Sequence, residues 1–144
     1  MMTDIYLALG SNLGDRHTML LSAIEELVEH VGTLVAASSF IETEPWGFES
    51  DHPFLNAVVH MQTRLSPHQL LLTTQAIERR LGRTHKSVGG VYADRPIDID
   101  ILIYGDQRID EPDLKVPHPR MSERDFVMRP LRELRQYEKN VLFD

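Results

Sequence analysis

Apolar and polar positions along the chain alternate between two periods. Asp4 to Leu9 (Asp-Ile-Tyr-Leu-Ala-Leu) reads as a short buried strand, and Gly10-Ser11-Asn12-Leu13-Gly14 breaks it. A helix is expected to start near Asp15. Leu20, Ile24, Leu27, Val28 and Val31 recur at helical spacing on one face, and Gly32 is expected to stop it. Leu34 to Thr43 alternates loosely and reads as a strand. Glu44 to Pro53 holds two prolines and a glycine and reads as a loop. Phe54 to Leu65 is the next strand, with Leu55, Ala57, Val59 and Met61 on one face and Phe54, Asn56, Val58 and His60 on the other. Ser66-Pro67-His68-Gln69 carries a capping box and a first-turn proline, so a second helix runs from there to Leu81 and stops at Gly82. Thr84 to Arg95 is polar, contains Gly89-Gly90 and reads as a mobile loop. Ile97 to Tyr104 is the strongest strand signal. Gly105-Asp106 turns the chain into a short hairpin, Val116-Pro117-His118-Pro119 is rigid and extended, and the rest reads as short helices.

The order β-α-β-β-α-β suits a ferredoxin-like α+β sandwich. An antiparallel four-stranded sheet carries both helices on one face and leaves the other face free for a ligand. A length of 144 residues suggests a single domain spanning 1–144. The absence of cysteine excludes a disulfide scaffold, thiolate metal sites and a cysteine nucleophile, and it fits a reducing compartment. No signal peptide is read at Met1 to Leu9, and no apolar run approaches the ~20 residues of a membrane helix, so a cytoplasmic protein without a membrane partner is expected. A formal net charge of −7 argues against nucleic acid as a partner. Basic residues nevertheless cluster at Arg79, Arg80, Arg83, Lys86 and Arg95, and again at Arg120, Arg124, Arg129, Arg132 and Arg135, which suggests a small anionic ligand. The last three of these arginines read as a solvated face.

The sharpest chemical feature is Asp98 and Asp100 within Ile97-Asp98-Ile99-Asp100-Ile101-Leu102-Ile103-Tyr104. Residues two apart on a strand share a face, so Ile97, Ile99, Ile101 and Ile103 are expected in the core and both carboxylates opposite, with Cα atoms roughly 7 Å apart. Like charges so placed repel, and a divalent cation relieves the repulsion. Mg²⁺ prefers a couple of carboxylates with phosphate oxygens and water. The plainer alternative is an exposed strand with two solvated aspartates. Arg95, three residues ahead of Asp98, and Arg83 with Lys86 at the start of the same loop bring cations to that end of the chain, as phosphoryl transfer requires. His118, held between two prolines, can donate to a phosphate. Arg124 and Phe126 offer a phosphate contact and a ring. Phe54 and Asn56 share a face and suit a flat heterocycle, with Thr43, Glu44, Pro45 and Trp46 leading into the same region. Gly10 to Gly14 looks like a phosphate loop but lacks its lysine, and reads as a structural strand-to-helix turn.

These segments together resemble the 6-hydroxymethyl-7,8-dihydropterin pyrophosphokinase family, from Gly10 to about Leu131. The matching pieces are Gly10-Ser11-Asn12-Leu13-Gly14, Thr43 with Pro45, Phe54-Leu55-Asn56-Ala57, Gln75 to Glu78, Gly82-Arg83, Asp98-Ile99-Asp100-Ile101, Val116-Pro117-His118, and Arg124 with Phe126. The resemblance implies a ferredoxin-like core with substrate loops over the site. It implies ATP and the reduced pterin as substrates and partners, and two Mg²⁺ held by Asp98 and Asp100. The pterin hydroxymethyl oxygen attacks the β-phosphorus of ATP and AMP leaves, in a step of tetrahydrofolate biosynthesis. Carried over by position, Thr43, Trp46, Phe54, Asn56 and Phe126 line the pterin pocket. Gln75, Lys86, Arg95, Ile101, His118 and Arg124 contact ATP, and Arg83 and Arg95 are the catalytic arginines. Many members carry Arg-Trp-Gly-Pro-Arg ahead of the two aspartates. Here the stretch is Gly89-Gly90-Val91-Tyr92-Ala93-Asp94-Arg95, which has no tryptophan and leaves Arg83 and Lys86 as alternatives for the inner phosphate cation. Pro119 stands where some members carry a tyrosine. A monomer is expected.

Two other classes fit part of the pattern. A nucleotide-sugar transferase uses Asp-x-Asp with a metal, but on a larger, parallel-sheet domain. A non-catalytic ferredoxin-like binding module has no need of paired aspartates beside a cationic loop.

Overall fold

The computed structural model describes residues 2–44, 52–82 and 96–143, with 139–143 described by backbone alone. Strand β1 (Thr3–Ser11) leads into helix α1 (Arg16–His30), followed by β2 (Gly32–Ala37), β3 (Ile41–Thr43) and β4 (Phe54–Thr63). Helix α2 (Pro67–Arg80) leads towards β5 (Asp98–Tyr104), then the hairpin β6 (Ile109–Glu111) and β7 (Leu114–Val116). A 3-10 turn at Met121–Glu123 precedes helix α3 (Asp125–Phe143). The main sheet runs β2-β4-β1-β5 with β3 also on β4, and its neighbours are antiparallel. This is the ferredoxin-like order that the sequence predicts.

The helix signals act locally as read. Asp15 caps α1 by accepting from the Thr18 amide at 3.1 Å. Ser66 and Gln69 form the full capping box of α2, with Pro67 in its first turn. Both helices lie on one face of the sheet. Leu20, Ala23 and Leu27 of α1 and Leu70 and Ile77 of α2 cover Ile5, Leu7, Leu9, Ala57, Val59, Met61, Ile97, Ile99 and Ile101. Val28 faces outward, so the buried stripe of α1 is narrower than its apolar pattern.

Four expectations change. The opposite face of the sheet is not wholly free, because the C-terminal segment is one long helix. Val127, Leu131 and Leu134 of α3 bury Ala8, Val58 and Leu102 in a second core. Ile103 joins that second core rather than the first. Pairing runs Tyr6↔Ile103 and then Leu7↔Ile101, so the extra residue Leu102 bulges and the alternation slips; Tyr104 returns to the α1–α2 side. The loose strand at 34–43 is two strands, because Ser38 interrupts it. Its amide donates to the Val58 carbonyl and its hydroxyl accepts from the Val58 amide, both at 2.9 Å, so a side chain completes the rung. Gly32 does not break α1 by a left-handed turn. It opens β2, where a Cβ would fall 2.0 Å from the Gln62 carbonyl oxygen. Gly82, at φ +105, does stop α2 as predicted.

The end of α3 is tied to the sheet by a polar cluster. His60 stacks on Tyr6 at 4.5 Å, with its ring nitrogens 2.8 Å from Asp4 Oδ1 and 2.5 Å from Glu138 Oε1. The Tyr6 hydroxyl donates to Glu138 Oε2 at 2.8 Å. Arg129, Arg132 and Arg135 lie on the exposed side of α3, as the sequence suggests.

Candidate active site

The register of the sheet assembles the site. Gly10 pairs with Asn56 on one side and Asp98 on the other, and Ala8 likewise with Val58 and Asp100. Directly opposed residues share a face, so Asn56 and the two aspartates stand on the α3 side, separated by the two smallest side chains of β1. Gly10 is small for a reason. A Cβ there would lie 3.1 Å from Asn56 Oδ1 and 3.4 Å from the Phe54 ring. Beyond Asn56, β3 supplies Thr43, paired with Phe54, and Asn56 Nδ2 donates to Thr43 Oγ1 at 2.5 Å. Thr43, Phe54 and Asn56 therefore form one group at the β3–β4 side of the floor.

The carboxylates occupy the β1–β5 side. Burial, and then the neighbouring Asp98, push the Asp100 carboxyl up to about 8; Arg124 opposes the shift. Its side chain keeps about a third of its surface open, at 31%. Two acids held this close on one strand face favour a proton or a cation between them, and their all-oxygen donors suit a hard divalent ion. Arg124, 6% exposed, places Nη1 3.9 Å from Asp100 Oδ2 and its guanidinium carbon 5.6 Å from the centre of the Phe126 ring. Its carbonyl accepts from the Val127 and Met128 amides, so the first turn of α3 fixes both Arg124 and Phe126.

His118 follows the hairpin and lines the same region. The Val116–Pro117 peptide is cis, and the His118 amide donates to the Leu102 carbonyl at 2.9 Å. Nδ1 accepts from the Arg120 amide at 3.3 Å, which assigns the ring proton to Nε2. Burial, and then the Arg124 charge, lower its pKa to about 4. The imidazole is therefore neutral near pH 7 and offers one N–H without adding charge.

A cavity of about 300 Å³ lies along the outer edge of β5, between α2 and the β6–β7 hairpin. Gln75, Ile101, His118 and Asp100 all line it, so three of the sequence-predicted nucleotide contacts and one predicted metal ligand meet in one place. Leu71, Thr74 and the hairpin stretch Pro112 to Lys115 complete its wall and were not singled out in the sequence; no residue type or spacing there signals a site. Glu78, the last residue of the matching stretch Gln75 to Glu78, was given no role from the sequence. It is 2% exposed, and its Oε2 accepts from the Ile99 amide at 2.8 Å. Among the described residues β5 has a strand neighbour only in β1, and a carboxylate from α2 takes the Ile99 amide between the two aspartates.

Arg124 and Phe126 thus meet at the carboxylates, whereas Thr43, Phe54 and Asn56 stand across β1 from them. Trp46, Arg83, Lys86 and Arg95, and the loop from Thr84 to Arg95, lie outside the described residues.

A ferredoxin-like sheet that aligns paired carboxylates, a buried arginine and a neutral histidine beside an open cavity defines a small α+β protein with the makings of an enzyme site. Comparison with known proteins narrows this class. The sequence pattern of the 7,8-dihydro-6-hydroxymethylpterin-pyrophosphokinase (HPPK) family matches residues 6–136. A Porphyromonas gingivalis protein named 2-amino-4-hydroxy-6-hydroxymethyldihydropteridine pyrophosphokinase is 58% identical over 134 residues, covering 92% of this chain and 91% of that one. The Bacillus subtilis protein of the same name is 46% identical over 138 residues, covering 94% and 81%. The fold is shared with wild-type Plasmodium falciparum HPPK-DHPS, crystallised with SDX-DHP, at a TM-score of 0.70 and 15% identity. It is shared also with an HPPK-DHPS in complex with substrates, at 0.74 and 14%. The match covers 92% of this chain but only 41% and 40% of those longer chains. The chain belongs to the HPPK family.

Proposed function

We propose that the protein transfers pyrophosphate from ATP to the hydroxymethyl group of 6-hydroxymethyl-7,8-dihydropterin, releasing AMP, as a step of folate synthesis. The observation that carries this reading is the row Asn56–Gly10–Asp98 across three adjacent strands. It sets a heterocycle-reading amide and a cation-holding carboxylate on one face, with the cavity at β5 beside them.

The pterin stacks on Phe54 at the β3–β4 side, with Phe126 as the opposing ring. Asn56 reads the edge of the heterocycle, and Thr43 holds the Asn56 amide in place. The base and sugar of ATP enter the cavity along Gln75 and Ile101, and the triphosphate runs towards Asp100. Asp98 and Asp100 would hold two Mg²⁺, which would supply charge neutralisation for the phosphate oxygens. Arg124 and the His118 Nε2–H face the same phosphates. With both substrates seated, the hydroxymethyl oxygen points over Gly10 and Ala8 towards the β-phosphorus. Alignment and charge neutralisation then make up most of the rate enhancement. Arg83, Lys86 and Arg95 add phosphate contacts in this reading, and Trp46 adds a wall to the pterin pocket. The protein works as a cytoplasmic monomer formed by a single domain, and its net charge of −7 helps to keep copies apart.

Turnover with ATP, Mg²⁺ and the reduced pterin tests the proposal. AMP that depends on both pterin and metal is the expected product. ADP, or no nucleotide turnover by a folded protein, would overturn it.

A further inference from the structure

The Gly10–Gly14 turn carries no phosphate-loop lysine, yet the residue that opens α1 after it does something no helix start requires. Arg16 is a cation in the first turn of α1, where the helix dipole disfavours positive charge and the Asp15 cap supplies the neighbouring carboxylate. Its guanidinium spans two other segments. Nη1 donates to the Pro53 carbonyl at 2.9 Å, and Nη2 donates to Glu42 Oε2 at 2.9 Å. Asn12, 2% exposed, adds a parallel bond from Nδ2 to the His52 carbonyl at 3.0 Å. Two successive carbonyls ahead of Phe54, and the side chain just ahead of Thr43, are therefore held from α1 and its preceding turn.

Pro53 has no amide hydrogen, so its carbonyl is the only backbone group through which it can be fixed. The ion pair with Glu42 is too exposed to stabilise the fold by much, the two side chains being 29% and 58% open. Its geometry matters more than its energy. A planar fork holds the two strand ends at one separation, which a lysine ammonium cannot do. What lies between those ends is the Thr43↔Phe54 pair and the Thr43–Asn56 hydrogen bond.

We infer that Arg16, seconded by Asn12, is a positioning residue for the heterocycle side of the site: it sets the β3–β4 entry so that Phe54 and Asn56 present their ring and amide together. The inference rests on the functional reading above and deepens it. Arg16 touches no substrate. Its loss selectively weakens pterin binding and leaves the nucleotide cavity, on the far side of β1, unaffected.

The test is equilibrium binding to the full chain with 6-hydroxymethylpterin, followed by its fluorescence, in the presence of Mg²⁺ and α,β-methylene-ATP. The affinity for α,β-methylene-ATP is measured separately. Arg16→Ala and Arg16→Lys are both expected to raise the pterin Kd by about tenfold, with the nucleotide Kd within about twofold of wild type. Arg16→Lys keeps the charge and the helix, so it guards against loss by misfolding. An Arg16→Lys protein that binds pterin as wild type does, or loses both ligands equally, overturns the inference. Wild type that binds nucleotide but no pterin overturns the functional reading and this inference with it.

Discussion

Asp98 and Asp100 matter more for activity than for stability. With its carboxyl pushed up to about 8, Asp100 already holds a proton at pH 7, so Asp100→Asn should unfold close to the wild-type temperature, while Asp98→Asn removes the charged neighbour and should unfold at or above it. Turnover should fall at least about 100-fold through loss of the cation site. Wild-type turnover in either variant removes the metal role. His118 predicts a pH effect of definite sign. Its folded pKa of about 4 lies below its ordinary 6.5, so the unfolded chain binds the extra proton between those values. Stability attributable to neutral His118 is present above pH 6.5 and is lost as pH falls towards 4. Thermal unfolding should therefore drop less over that window in His118→Asn than in wild type. An identical drop in the two proteins counts against the buried, neutral imidazole. The aspartate pair was legible in the sequence because strand alternation alone puts both residues on one face. The contacts of Glu78 and Arg16 were not, because only the tertiary packing places an amide or a carbonyl against each side chain.

At the level of elements, alternation predicted β5 up to Ile101 and failed beyond it. The bulge at Leu102 exists because a second core under α3 takes Leu102 and Ile103, and nothing within the strand announces that helix. The C-terminal segment was expected as short helices, yet α3 continues through Pro130 at the cost of the hydrogen bond to the Phe126 carbonyl. Leu131 and Leu134, each 2% exposed, explain why continuation wins. Leu131→Ala should destabilise the protein by about 2–4 kcal/mol in denaturant titration, with a loss under about 1 kcal/mol contradicting the second core. The α2–β5 link makes a separate prediction. Glu78→Ala leaves the Ile99 amide without its carboxylate, at a cost of about 1–3 kcal/mol, and lets the segment between the aspartates relax. Turnover measured well below the unfolding temperature should fall as well. Full turnover in a destabilised Glu78→Ala would make the contact purely structural.

For the molecule as a whole, the first two helices, the capping box of α2 and the antiparallel α+β arrangement were readable from periodicity and cap residues. A βαββαβ arrangement with two helices on one face needs only local signals to be specified. The cavity along β5 was not readable in the same way, because its walls come from α2, β5 and a hairpin distant in sequence. What the fold achieves is convergence. Three neighbouring strands deliver an amide, a gap and a carboxylate in register, and the start of α3 brings an arginine to Asp100 with a ring beside it. The measurement that tests this account most directly is identification of the nucleotide product when the protein is given ATP, 6-hydroxymethyl-7,8-dihydropterin and Mg²⁺. The account predicts AMP in equal amount to the pyrophosphorylated pterin, abolished by EDTA and restored by excess Mg²⁺. ADP as the product, or AMP formed without pterin, would contradict it.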